Sequence, residues 1–188
     1  GVPPLDRPGS VTGLAEVVAA LRAPDGCPWD REQSHDSLRP FLLEEAYEVL
    51  AALDAGDDGD ALAEELGDLL LQIVLHAQIG SEDGAFTLSD VCRHITEKIV
   101  RRHPHVFGTG RADTPAAVRG LWEEIKSGER AARGAADDPF AGVPLAMPAL
   151  ARAQTVQRKA VSAGRIASAA AVRDEPAAKA ALAALVSG

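Results

Sequence analysis

Two acidic segments joined by a short run of turn-forming residues constrain this chain more than any other stretch. The first is Leu43, Glu44, Glu45, Ala46, Tyr47, Glu48, and the second is Glu64, Glu65, Leu66, Gly67, Asp68. Apolar residues recur at three- and four-residue spacing through Leu38, Phe41, Leu42, Ala46, Val49, Leu50 and Leu53, and again through Leu62, Leu66, Leu69, Leu70, Ile73 and Ala77. That period is helical. The break Gly56, Asp57, Asp58, Gly59 supplies a helix stop and the next helix start, and so short a link makes the pair an antiparallel hairpin.

Counting outward from the turn at ~1.5 Å per residue sets Glu48 and Asp68 at nearly the same height, with Glu45 just above and Glu65 just below. Glu45 falls within the apolar stripe of its helix, and Glu48 and Glu65 fall on the borders of theirs. Carboxylates crowded in this way are costly to desolvate and repel one another. A divalent cation relieves both penalties, and an all-oxygen donor set suits a hard ion such as Mg²⁺ or Mn²⁺. Taken alone, a Glu-Glu-x-x-Glu run is also the pattern of an ordinary solvated helix face. The second acidic pair at matching height, on an apolar background, favours the cation.

The rest of the composition fits a helical protein. Apolar residues make up 46% of the 188, enough for a core, but aromatic residues only 4%, so Leu, Val and Ala must do the packing. Few segments alternate over strand length, and the expected fold class is all-α, an antiparallel bundle with a four-helix core. The segment 69–75 is apolar almost all round, which implies burial on several sides and predicts dimerisation through this helix. A formal net charge of −9 argues against a nucleic-acid surface. The two cysteines, Cys27 and Cys92, form no C-x-x-C pair, and no apolar run is long enough to span a bilayer. Reduced thiols and no signal-peptide layout make the cytoplasm the expected location.

Along the chain, residues 1–10 carry Pro3, Pro4 and Pro8 and are expected to be disordered. Thr12 is the predicted cap of a first helix that stops before Pro24. Trp29, in a stretch rich in turn formers, either covers the end of the bundle or walls a flat ligand. Asp36 or Ser37 is the predicted cap of the hairpin's first helix, with Pro40 in its first turn. After a hinge at 80–84, Thr87 or Ser89 caps a helix with Leu88, Val91, Cys92, Ile95 and Ile99 inward. That helix ends in Lys98, Arg101, Arg102 and His103, cations that complement a helix C-terminus or clamp a phosphate. Asp113, Thr114 and Pro115 open another helix, on which Trp122 and Lys126 stand one turn apart. The five histidines show no metal-ligand spacing. Domain limits read as 11–133 for the helical body, 134–164 for a linker and helix, and 165–188 for an Ala-rich tail.

With these motifs assembled, the chain resembles the MazG family of nucleoside triphosphate pyrophosphohydrolases, within the all-α NTP pyrophosphatase superfamily, over roughly residues 14–164. The resemblance rests on Gly-Cys-Pro-Trp-Asp at 26–30, Leu-Glu-Glu-x-Tyr-Glu at 43–48, and Glu-Leu-Gly-Asp-Leu-Leu at 65–70. It continues through Arg-Arg-His-Pro-His-Val-Phe at 101–107 and Trp-Glu-x-Ile-Lys at 122–126. It implies hydrolysis of nucleoside triphosphates between the α and β phosphates, giving a monophosphate and pyrophosphate. Glu45, Glu48, Glu65 and Asp68 match the family's Mg²⁺ ligands, with Glu44 nearby to orient water or accept a proton. Lys98 and Arg102 match triphosphate-binding positions, with Arg101 beside them, and Trp122 and Lys126 match positions that hold the nucleotide. Longer members carry two related helical domains. This chain resembles the first, and its Ala-rich tail lacks a second acidic motif. A specialised dUTP, dCTP or damaged-nucleotide pyrophosphatase and a catalytically silent binding module share these features. A nucleotide panel separates them.

Overall fold

The computed structural model describes residues 9–132, 134, 140 and 142–163. The expected disorder of residues 1–10 therefore lies outside the described residues except at Gly9 and Ser10, and the Ala-rich tail lies outside them entirely. Every regular element among the described residues is a helix, as the apolar periodicity requires. In order they are α1 (Val11–Arg22), α2 (Pro28–Glu32), α3 (Arg39–Ala55), α4 (Asp60–Glu82), α5 (Leu88–Arg102), α6 (Pro104–Phe107), α7 (Pro115–Ala132) and α8 (Ala149–Ser162). The chain divides into two compact units, 1–99 and 100–188.

In the first unit α4 is the central element, packed against α3 and α1, while α1 also packs on α2. Val18 of α1, Leu38 at the entry to α3, and Val74, Leu75 and Ile79 of α4 form the buried cluster. Leu14, Phe41, Leu70, Leu71 and Leu88 pack around it. Each such side chain contributes about 1.5–3 kcal/mol when fully buried.

The hairpin turn works as its residues dictate. Gly56 takes φ 80°, a left-handed conformation that glycine adopts without penalty, and its N–H reaches the carbonyls of Ala52 and Leu53. The N–H of Asp57 also caps Ala52, at 3.0 Å. Gly59 then precedes the first residue of α4. A second tight passage follows α1, where Cys27 N–H donates to the carbonyl of Leu21 at 2.8 Å. Here Gly26 lies so close to the carbonyls of Ala20 and Leu21 that no side chain fits.

Four local expectations are corrected. The cap of α1 is Ser10, whose hydroxyl accepts from Gly13 N–H at 3.0 Å, because the helix begins at Val11 and contains Thr12. Leu38 occupies the cap position of α3 and makes no side-chain cap, since Ser34 and Ser37 are engaged with each other's backbone N–H groups one turn earlier. The hinge expected at 80–84 is narrower: α4 runs through Glu82, and Gly84 alone adopts a positive φ, 67°. Finally, Cys92, Ile95 and Ile99 of α5 are exposed where they were expected to face inward. Leu88 is the α5 residue that reaches the core. Its helix is capped by Thr87, whose N–H and hydroxyl both donate to Asp90 Oδ2 while Thr87 Oγ1 accepts from Asp90 N–H. The arginine beside it, Arg93, holds Asp90 down to about 2.

Among the described residues no helix is long and apolar enough to cross a membrane, and Cys27 and Cys92 are both free thiols.

Candidate functional site

The α3–α4 hairpin carries its acids where the helices run side by side. Carboxylate oxygens of Glu45, Glu65 and Asp68 all lie within 4.8 Å of one another. Glu48, one turn beyond Glu45 on α3, adjoins the group through a side-chain hydrogen bond to Glu45. Partial burial raises the Glu45 pKa first, followed by that bond and then by the negative charge of Glu48, Asp68 and Glu44. Glu65 is raised by burial and then by the charges of Glu48, Asp68 and Glu64. Both shifts express one fact: these acids resist ionising together without a counter-charge. A donor set made only of carboxylate oxygens, carried by the two helices of one hairpin, fits a hard divalent cation. Glu44 is exposed on the same helix, beside the cluster.

The cationic residues belong to the end of α5 and to α7. Arg101 and Arg102 both engage Glu129 of α7, at 2.8 and 2.6 Å. Lys98 lies on α5 four residues before Arg102 and makes no ion pair among the described contacts. The Glu129 pKa is lowered to about 2, chiefly by the Arg102 hydrogen bond and then by that of Arg101. On α7 the indole of Trp122 meets His103 edge-on, with centroids 5.1 Å apart, and its Nε1 is buried without an acceptor. Trp122 also walls a cavity of about 550 Å³, with His105, Thr114, Val118 and Arg119 among the other linings. Lys126 donates to Glu123 at 2.7 Å.

Trp29 sits on the short helix α2, packs edge-to-face on Phe41 at 5.8 Å, and remains about half exposed.

Sequence reasoning missed four residues, Glu129, Arg22, His35 and His76. Glu129 reads in sequence as one more helix acid, although its spacing of three from Lys126 and seven from Trp122 sets all three on one face of α7. Arg22 closes the end of the first unit: it pairs with Glu82 at 2.7 Å and donates to the carbonyls of Asp30 and Gln33. His35 and His76, 41 positions apart, are in contact. No local pattern announces the last two, because their partners come from distant segments.

A family model described as the MazG nucleotide pyrophosphohydrolase domain matches residues 33–107, the span that holds the whole acidic hairpin and the arginine pair. The chain is 45% identical over 151 residues to the nucleoside triphosphate pyrophosphohydrolase/pyrophosphatase MazG of Thermotoga maritima, covering 80% of this chain and 56% of that protein. It is 44% identical over 155 residues to a nucleoside triphosphate pyrophosphohydrolase of Escherichia coli K12, covering 80% and 57%. It is 43% identical over 180 residues to one from Mycobacterium tuberculosis, covering 85% and 54%. The chain thus spans a little over half the length of these relatives. An acidic helical hairpin inside the matched segment, together with identity at this level over four fifths of the chain, establishes that it belongs to the MazG family.

Proposed function

We propose that this chain is a Mg²⁺-dependent pyrophosphohydrolase that cleaves nucleoside triphosphates between the α and β phosphates, releasing a nucleoside monophosphate and pyrophosphate. The observation that carries this reading is the convergence of Glu45, Glu65 and Asp68 on the hairpin inside the segment matched to the family. The names of the relatives, nucleoside triphosphate pyrophosphohydrolases, support the substrate class.

Glu45, Glu48, Glu65 and Asp68 hold the cation, for which Mn²⁺ is a substitute. When bound, the ion neutralises phosphate charge and lowers the pKa of water. Glu44 orients the attacking water. Its oxygen bonds to the α phosphorus as the bridging P–O bond to the β phosphate breaks, and a carboxylate of the cluster accepts the proton given up. Lys98, Arg101 and Arg102 balance the charge that gathers on departing pyrophosphate. Trp122 and Lys126 hold the nucleotide, and the exposed face of Trp29 is available to a base. The working body is residues 11–133, followed by the linker and helix of 134–164.

The same reading includes a homodimer in the cytoplasm. Leu43, Tyr47, Leu50 and Leu53 of α3, Leu66 and Ile73 of α4, and Ile95 of α5 are large apolar side chains exposed in this structure. So many large apolar side chains in water favour association. A second copy covering them completes a four-helix core.

Phosphorus NMR of a panel of NTPs and dNTPs, with and without Mg²⁺, tests the proposal. Monophosphate plus pyrophosphate is expected, abolished by EDTA and by Glu48→Gln, with relative rates reporting base preference. A folded, Mg²⁺-replete sample that turns over no nucleotide in the panel overturns it in favour of a binding module.

A further inference from the structure

We propose that Glu129 is a positioning residue that gathers the side chains of Arg101 and Arg102 into one site for the phosphate chain of the substrate. This rests on the reading of the two arginines as phosphate ligands, given above.

Consecutive residues on a helix project about 100° apart, so Arg101 and Arg102 left to themselves diverge. Both nevertheless meet one carboxylate. Arg101 Nε donates to Glu129 Oε1 at 2.8 Å, while Arg102 donates to Oε1 through Nε at 3.4 Å and to Oε2 through Nη2 at 2.6 Å. The contacts use the Nε and Nη2 edge of each guanidinium and leave the Nη1 groups for another acceptor.

Exposure tells whether the carboxylate supports the arginines or masks them. The Glu129 side chain is 15% exposed, against 27% for Arg102 and 50% for Arg101. The acid therefore lies behind the two cations, and their outer edges face solvent. One carboxylate cannot neutralise two guanidinium groups, so the trio retains a net positive charge suited to a phosphate. Holding two long side chains in place before the substrate arrives lowers the entropic penalty of binding. Glu129 also shares its face of α7 with Trp122 and Lys126, one and two turns back. The arginines are thereby tied to the helix that carries the nucleotide-holding pair.

The test compares the full chain with Glu129→Ala, Glu129→Gln, Glu129→Asp and Arg102→Ala. It measures kcat and KM for ATP at saturating Mg²⁺ and, independently of turnover, the Kd for inorganic pyrophosphate by calorimetry. Glu129→Ala and Glu129→Gln are expected to raise the Kd for pyrophosphate about 10-fold and to lower kcat/KM for ATP at least as much, and Glu129→Asp, which keeps the charge, to recover part of the loss. Adding Glu129→Ala to Arg102→Ala is expected to weaken binding by less than 2-fold further, since the two act through one another. Should Glu129→Ala misfold by circular dichroism, the isosteric Glu129→Gln carries the comparison. Pyrophosphate binding that is unchanged or tighter in the Glu129 variants while Arg102→Ala weakens it sinks the positioning role alone. Binding unaffected by Arg102→Ala sinks the reading of the arginines, and this inference with it.

Discussion

His35 and His76 meet through their Nδ1 atoms at 2.7 Å, with rings stacked and centroids 5.0 Å apart. One ring must donate and the other accept, so at least one is neutral. Phe86 stacks with His35 at 6.1 Å and also fills the space beside Gly80. The contact ties the segment before α3 to the middle of α4.

This contact makes stability depend on pH. Burial first, and then the His35 charge, lower the His76 pKa below its ordinary 6.5. Between that lower value and 6.5 the unfolded chain binds more protons than the folded one. The contribution is therefore complete above pH 6.5 and is lost as pH falls through the folded-state pKa. The urea midpoint is expected to drop between pH 7.5 and 5, and His76→Gln to flatten that drop. An equally steep drop in the variant would contradict the assignment.

Divalent cation should stabilise the fold as well as serve catalysis. On the proposed reading Mg²⁺ relieves the mutual repulsion among Glu45, Glu48, Glu65 and Asp68, and a ligand at one hundred times its Kd contributes about 2.7 kcal/mol. Differential scanning calorimetry is expected to show Tm rising with Mg²⁺ and falling back with EDTA. Asp68→Asn should raise Tm slightly in EDTA and lose most of the Mg²⁺ increment. A full increment in that variant places the cation elsewhere.

Arg22 deserves a direct substitution because its side chain is only 6% exposed and holds Glu82 and two backbone carbonyls at once. Glu82, whose pKa it lowers, is more exposed, so the pair is partly screened. Arg22→Ala is expected to lower stability by about 2–3 kcal/mol in urea titration, largely by orphaning the carbonyls of Asp30 and Gln33. Arg22→Lys should recover little, since an ammonium cannot fork across these acceptors. A change below about 0.5 kcal/mol for Arg22→Ala would put the clamp among ordinary surface pairs.

The exposed apolar side chains bear on assembly. Sedimentation equilibrium of the parent at micromolar concentration is expected to give a dimer, and Leu53→Glu or Ile95→Glu to shift it to monomer with helical content kept. A monomeric parent removes the dimer from the proposed function.

Much of the first unit was legible in the amino-acid order. The hairpin follows from apolar spacing on either side of Gly56 and Gly59, because helical period and a left-handed glycine are local properties. Glu45, Glu65 and Asp68 could be brought near one another from rise per residue alone, since a four-residue link fixes register. Helix caps were less legible: Ser10, Thr12, Asp36 and Ser37 are all residue types that suit the position, and only the hydrogen bonds of Ser10, Ser34 and Ser37 show where α1 and α3 start.

What only tertiary structure decided is which side chains from distant segments meet. The inward face assigned to α5 assumed that an apolar stripe must be buried within its own chain, whereas Ile95 lies at the surface. Arg101 and Arg102 carried their charge in the sequence, but their convergence depends on Glu129 of another helix. His35 and His76, like Arg22 and Glu82, are joined by the packing around α4. Local order determined helices, turns and the acidic hairpin because backbone torsion and a short link act over a few residues. Long-range pairs were decided by burial, which sums contributions from the whole unit and leaves no mark in any one segment.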